Sequence, residues 1–122
     1  MRKTVIIGAS TNPSRYSYLA ASTLKQYGHE FVPVGLRDGM LFREPILDIR
    51  TKPMINDVDT VTLYISPKHQ TDLSDYIIML KPRRVIFNPG TENAHLERQL
   101  EDAGIEATES CTLVLLRTGQ YL

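Results

Sequence analysis

Near the N-terminus, Lys3-Thr-Val-Ile-Ile-Gly-Ala-Ser-Thr-Asn-Pro-Ser-Arg15 passes from an apolar, β-branched run through a glycine and small polar residues into a helical pattern. Strand, tight turn and helix N-terminus in that order is how α/β proteins build an anion site. The first peptide N–H groups of a helix lack internal partners, and the helix dipole adds partial positive charge there. A phosphate ester is the natural occupant. The segment therefore points to a small-molecule ligand of nucleotide type.

Two periodicities alternate along the rest of the chain. Val5-Ile-Ile7, Phe31-Val-Pro-Val34, Thr60-Val-Thr-Leu-Tyr-Ile65 and Val85-Ile-Phe87 read as strands, and Ile105 to Thr108 as a weaker fifth. Between them, Leu19, Ala20, Thr23, Leu24 and Tyr27 recur at helical spacing, and Gly28 follows where a C′ glycine belongs. Pro67 is placed to open a second helix whose face is Leu73, Tyr76, Ile77 and Leu80. Leu96, Leu100 and Ala103 mark a third, ended by Gly104, and the tail from Cys111 to Leu116 reads as a short helix before Gly119. Pro33 cannot donate a ladder hydrogen bond, which predicts an edge-facing position or a bulge. The stretch from Leu36 to Asp59 is irregular, with a small extra strand conceivable at Ile46-Leu-Asp-Ile49.

Strands alternating with helices predict an α/β fold: a three-layer, Rossmann-like domain with a mostly parallel, five-stranded sheet wound by right-handed crossovers. The 122 residues make one domain, 1–122, since domains commonly run to about 100–150 residues. A chain of this length buries roughly two thirds of its unfolded surface. It has no room for a separate substrate domain. Fourteen Lys plus Arg balance fourteen Asp plus Glu, so no field favours nucleic acid or an anionic membrane. No apolar run reaches the ~18–20 residues of a membrane span, and the N-terminus lacks a signal-peptide pattern. The single Cys111 rules out an internal disulfide framework and fits a reducing cytoplasm. A homodimer is left open.

In the first turn, Gly8 lets backbone approach a ligand, while Ser10, Thr11 and Asn12 supply short polar side chains. Asn12-Pro13 reads as an N-cap followed by proline at the first helical position. Arg15, then in the first helical turn, is locally unfavourable for the dipole unless it faces an anion. The alternative is a well-capped turn with a surface arginine. The full G-x-G-x-x-G fingerprint is absent, and Gly35, Leu36 and Arg37 stand where a nicotinamide ribose would want an acidic residue. Arg37 would suit an extra phosphate on an adenosine ribose, or is simply a solvated arginine. No G-x-x-x-x-G-K-[ST] signature occurs. A second glycine turn, Asn88-Pro-Gly-Thr-Glu-Asn93, follows the fourth strand. Gly8, Gly35, Ser66 and Asn88 all fall at strand C-termini, where an open α/β sheet binds ligands, so their loops should line one crevice.

On these residues the chain resembles the small bacterial CoA-binding-domain proteins, stand-alone relatives of the CoA-binding module of succinyl-CoA synthetase. The resemblance covers essentially the whole length. It rests on Val5-Ile-Ile-Gly-Ala-Ser-Thr-Asn-Pro-Ser-Arg15, Phe31-Val-Pro-Val-Gly35, Ile86-Phe-Asn-Pro-Gly-Thr-Glu92 and Glu109-Ser-Cys-Thr-Leu-Val114. It implies a Rossmann-like fold holding coenzyme A or an acyl-CoA, with the pyrophosphate at the first loop. Gly8, Ala9, Ser10, Asn12 and Arg15 would then bind the phosphates. Val34, Gly35 and Arg37 would flank the adenosine, and Ser66, Pro67, Asn88, Pro89 and Gly90 would line the opposite wall. Many relatives carry an Asn-Pro pair where this chain has Gly35-Leu36.

Catalytic groups are hard to find. His29, His69 and His95 show no metal-ligand spacing, Ser10 is not in a G-x-S-x-G elbow, and no His–acid pair is evident. Asp72, Asp75, Glu97, Glu101 and Asp102 read as exposed helix faces. Cys111, if activated, could form a mixed disulfide with a ligand thiol, although an isolated cysteine is usually a small buried apolar residue. The expectation is a non-catalytic, cytoplasmic binding module. The alternative is a small NAD(P)-type enzyme or enzyme subunit.

Overall fold

The structure, a computed structural model, describes residues 3–122. Its central sheet is built from β1 (Lys3–Ile7), β2 (Phe31–Gly35), β5 (Leu47–Asp48), β6 (Val58–Leu63), β7 (Arg84–Phe87) and β8 (Glu106–Glu109). β3 (Met40–Leu41) and β4 (Glu44–Pro45) form a separate antiparallel hairpin. The helices are α1 (Tyr16–Gln26), α2 (Leu73–Leu80), α3 (Ala94–Asp102) and α4 (Thr112–Arg117).

The sheet order is β5-β2-β1-β6-β7-β8, and every neighbouring pair is parallel. This is the doubly wound order, with its switch point between β1 and β6. The strand count differs from the expected five. The sixth strand, β5, lies within the weakly signalled 46–49 stretch and pairs through Val34↔Leu47 and Gly35↔Asp48 only. Because β5 covers just those two residues, Pro33 lies on an unpaired part of β2's outer edge and removes no ladder bond there.

Alternation along the strands sorts side chains onto two different faces. Val5, Ile7, Val34, Val61, Leu63, Val85 and Phe87 pack against α2 and α3 in an apolar core. Ile6, Phe31 and Ile86 face α1 and α4, together with Ala21, Leu24 and Leu116. That second face also buries Thr4, Thr60, Thr62, Arg84 and Asn88. Arg84 Nη2 donates to the Tyr121 carbonyl (2.8 Å), its guanidinium donates to Thr60 Oγ1, and it lies 4.7 Å from the Tyr121 ring centre. Tyr121 Oη shares a hydrogen bond with Thr4 Oγ1. The C-terminal tail is thereby tied to β1, β6 and β7. No helix among the described residues is long and apolar enough to cross a membrane.

Two helix starts differ from expectation. Asn12 does not cap α1. Its Oδ1 accepts from Ser14 N (3.0 Å) and Ser14 Oγ (2.8 Å), which turns the chain one step before the helix. Arg15 is the N-cap residue instead, extended at φ −86° and ψ 144°, and contributes no side-chain cap. Pro67 opens only a 3-10 turn, Pro67–His69, and α2 begins at Leu73. There the Gln70 side chain is drawn away to the carbonyls of Ile65 and Thr91, so the chain does not continue as one helix.

The β3–β4 hairpin closes through Phe42 (φ +49°) and Arg43 (φ +75°), a two-residue loop with left-handed backbone at both positions and glycine at neither. Phe42 earns its place by contact: its ring centre is 5.2 Å from Tyr18's and 5.5 Å from Lys25 Nζ. Arg43 is exposed. Arg43→Gly should therefore stabilise the fold by about 0.5–1 kcal/mol, whereas Phe42→Gly should destabilise it, as read by urea unfolding. Opposite signs at adjacent turn positions are the outcome to look for; a loss of stability in Arg43→Gly would contradict the strain argument. Tyr121→Phe, which strands the buried Thr4 hydroxyl, should cost about 1–2 kcal/mol in the same measurement.

Candidate functional site

The C-terminal ends of β1, β2, β6 and β7 come together at one edge of the sheet, because all four strands run parallel. Their spacing there is set by missing side chains. Gly8 has φ +94°, and a Cβ on it would lie 2.8 Å from Ile65 Cγ2 and 3.0 Å from the Tyr64 carbonyl carbon. A Cβ on Gly35 would lie 2.8 Å from the Ala9 carbonyl oxygen. The ends of β1, β2 and β6 thus approach more closely than any larger residue permits. Gly8 N and Ala9 N both donate to the Val34 carbonyl (2.9 and 3.0 Å), and Tyr64 N donates to the Ile7 carbonyl (2.9 Å).

Those bonds decide which backbone donors remain. Gly8 and Ala9 fit the turn sterically, but their N–H groups are committed to Val34. Further along, Asn12 N donates to Ser10 Oγ (3.1 Å), and Arg15 N to the Asn12 carbonyl (3.0 Å). The N–H groups of Ser10, Thr11, Tyr16 and Ser17 have no acceptor among the described residues. They bracket an exposed loop that runs into the N-terminus of α1. The donor set for an anion is displaced toward the helix from where the glycine suggested it.

The other predicted residues fall into two groups. Ser66, Pro67, Pro89 and Gly90 are exposed at the ends of β6 and β7, on the same edge as Gly8. Leu36 and Arg37 are exposed beyond β2, while Val34 and Gly35 are buried. Asn88 is a different case. It is 2 % exposed, its Nδ2 donates to Thr62 Oγ1 (2.7 Å) and the Leu63 carbonyl (2.8 Å), and its Oδ1 accepts from Thr112 N (2.9 Å). Asn88 clamps β6, β7 and α4 together, and both of its amide hydrogens are spent inside the protein.

Some residues around this edge escaped the sequence reading. Gln70 donates from Nε2 to the Ile65 and Thr91 carbonyls (2.9 Å each), and its Oε1 accepts from Asn93 Nδ2 (3.0 Å), joining the loops after β6 and β7. Arg50 grips Asp48 through Nε (2.9 Å) and Nη2 (3.1 Å) and reaches the Leu36 carbonyl, which places a second guanidinium beside the loop that carries Arg37. The Arg50–Asp48 hydrogen bond holds the Asp48 carboxyl below its usual range. A polar residue a short step past a strand was the only available signal for either.

Tyr64 directly follows β6, one of the two strands that flank the switch point. Burial pushes its phenol up to about 12, partly offset by hydrogen bonds to Thr112 and Thr62, so it stays neutral. Cys111 is half-buried nearby, at the start of α4. Among the described residues no group of three or more His, Cys, Asp or Glu could hold a metal ion.

A comparison with curated proteins gave no match. Among solved structures, a crystal structure of an uncharacterized protein is 52 % identical, with a TM-score of 0.94 over 98 % of both chains. A conserved hypothetical protein from Pyrococcus furiosus is 27 % identical, with a TM-score of 0.81 over 93 % of this chain and 98 % of that one. A hypothetical protein from Pyrococcus horikoshii OT3, 20 % identical with a TM-score of 0.83 over 96 % and 82 %, shares the fold. The model of the CoA binding domain matches residues 2–117, nearly the entire chain. With its doubly wound sheet and glycine-spaced switch point, the chain belongs to the CoA-binding domain family.

Proposed function

We propose that this protein binds coenzyme A or an acyl-CoA without transforming it, with the phosphates held at the loop between β1 and α1. The family match supports coenzyme A as the ligand in general. The observation that carries the finer reading is the set of N–H groups of Ser10, Thr11, Tyr16 and Ser17, left without protein acceptors around one loop at the switch point. A diphosphate presents several anionic oxygens, and a helix N-terminus with spare donors suits them without a dedicated lysine.

The rest of the edge fits an elongated ligand. Gly8 and Gly35 draw the strand ends together beneath the loop, and Ser10 adds a hydroxyl beside it. Arg15, exposed at the N-cap of α1, supplies the mobile positive charge. Exposed Ser66, Pro67, Pro89 and Gly90 offer a shallow, uncharged track for the pantetheine arm. Bound coenzyme A would bring a thiol or thioester. What the protein adds is grip and placement, and burial keeps Tyr64 a neutral phenol, its pKa pushed up to about 12.

Calorimetric titration of the purified protein with coenzyme A and with NADP tests the reading. Saturable one-to-one binding of coenzyme A, with NADP bound more weakly, is the expected result; the reverse preference would overturn it in favour of a nicotinamide-type protein. Arg15→Gln should raise the Kd for coenzyme A roughly tenfold, leaving the thermal midpoint within a degree or so, because the side chain caps nothing in the fold. An unchanged Kd would remove Arg15 from the phosphate site.

A further inference from the structure

Residues 66–72, between the end of β6 and the start of α2, form an almost wholly external segment. Ser66, Pro67, Lys68, His69, Thr71 and Asp72 are exposed, whereas Gln70 is 2 % exposed. The backbone bonds of the segment close on themselves. His69 N donates to the Ser66 carbonyl (2.9 Å), Gln70 N to the Pro67 carbonyl (3.0 Å) and Leu73 N to the Gln70 carbonyl (3.1 Å). Lys68 and Asp72 form no ion pair among the described residues. The two ends are fixed, because Ile65 and Leu73 pack into the apolar core against α2 and α3.

Among the described residues, every hydrogen bond from this segment to a part of the fold other than α2 runs through one side chain. Gln70 Nε2 donates to the Ile65 and Thr91 carbonyls, and its Oε1 accepts from Asn93 Nδ2. The receiving side is rigid. Thr91 N returns to the Asn88 carbonyl (2.9 Å) around a Pro89-Gly90 turn, with Gly90 at φ +93° where such a turn requires it. Asn93 Oδ1 caps α3 by accepting from Leu96 N (3.1 Å). On its other side the segment meets open space, a cavity of about 410 Å³ shared with the 3-10 turn Ile49–Thr51. A stretch with few buried contacts, held by one amide and free to move on one side, opens at a small fraction of the cost of global unfolding.

We infer that residues 66–72 are a lid at the ligand edge and that the Gln70 amide is its latch. Ser66 and Pro67 stand at the C-terminal end of β6, on the same edge as Gly8, so displacing the segment about Ile65 and Leu73 uncovers that edge. The latch joins the lid to the loop before α3 and touches no ligand. It therefore governs how fast a ligand enters and leaves, and bears little on affinity. The ligand itself, coenzyme A, rests on the reading above.

Amide hydrogen exchange resolved by NMR, together with surface plasmon resonance of coenzyme A binding, tests this on wild type, Gln70→Met, Gln70→Glu and Tyr121→Phe. Gln70→Met fills nearly the same volume without the three hydrogen bonds. It should speed exchange of the His69 N–H about tenfold or more, while β7 and α3 exchange as in wild type. Gln70→Glu keeps an acceptor for Asn93 but sets a carboxylate against both carbonyls, and should speed that exchange at least as much. Tyr121→Phe weakens the opposite face of the sheet and should leave it unchanged. In both Gln70 variants coenzyme A should associate and dissociate about tenfold faster at a nearly constant Kd, whereas a misshapen site would raise Kd instead.

Unchanged exchange at His69 in Gln70→Met, or protection lost evenly over β7 and α3, overturns the latch. Faster exchange with unaltered coenzyme A rates, or a Kd raised through dissociation alone, overturns the lid and leaves the coenzyme A reading standing. If wild type binds no coenzyme A, that reading falls, and the exchange result by itself decides the latch.

Discussion

The Val34 carbonyl is the hinge of this architecture. By accepting from both Gly8 and Ala9, it seals the end of β1 to β2 at the point where the chain must leave the sheet for α1. The contact works only because neither Gly8 nor Gly35 carries a Cβ, since one at either position would come within 2.8 Å of neighbouring atoms. Three parallel strands are drawn together at their C-terminal edge, and the loops that follow inherit that closeness. The same bonds consume the donors that a glycine turn would otherwise offer an anion. The free N–H groups therefore begin at Ser10, and on the proposed reading the phosphate site is assembled from the distal loop and the first turn of α1.

The two faces of the sheet hold the edge in place by different physics. Against α2 and α3 the packing is apolar, and volume alone specifies it. Against α1 and α4 the strands present threonines, an asparagine and an arginine, and none of the described buried side-chain polar atoms lacks a partner. Each such bond adds only about 1 kcal/mol net, yet leaving a partner unpaired costs about 1–3 kcal/mol. A network of this kind is intolerant of displacement. Asn88 shows the consequence: it fixes Thr112 at the start of α4 and β6 beside β7, so the glycine turn that follows it emerges at a set place on the edge.

What could be read from sequence follows from the range of the forces involved. Strands buried on both faces are short β-branched runs, and helices with one buried face repeat at 3.6, so β1, β6, β7 and the three longer helices leave local patterns. β5 pairs through two residues and has no period to display. The turn through Phe42 and Arg43 carries no glycine because the Phe42 ring is needed on Tyr18. The helix start moved from Asn12 to Arg15 because the Asn12 carboxamide had a nearer customer in Ser14. At the site, the glycines were legible because their constraint is on the backbone itself. The commitment of Asn88 to Thr62, of Gln70 to Thr91 and of Arg50 to Leu36 spans 26, 21 and 14 positions in sequence, and no local signal encodes a partner at such distance.

The charge balance ties the fold to its proposed ligand. A chain with zero formal net charge has no strong long-range field to gather anions, so recognition has to come from short-range donors. Backbone N–H groups at α1 cannot distinguish one diphosphate from another. β5 is only two residues long, so the chain turns at once into the 3-10 turn that carries Arg50 and on to Lys52. The irregular segment between β2 and β6, the part of the chain least determined by periodicity, is held instead by specific contacts, Arg50 on Asp48 and the Tyr76 hydroxyl on the Pro53 carbonyl.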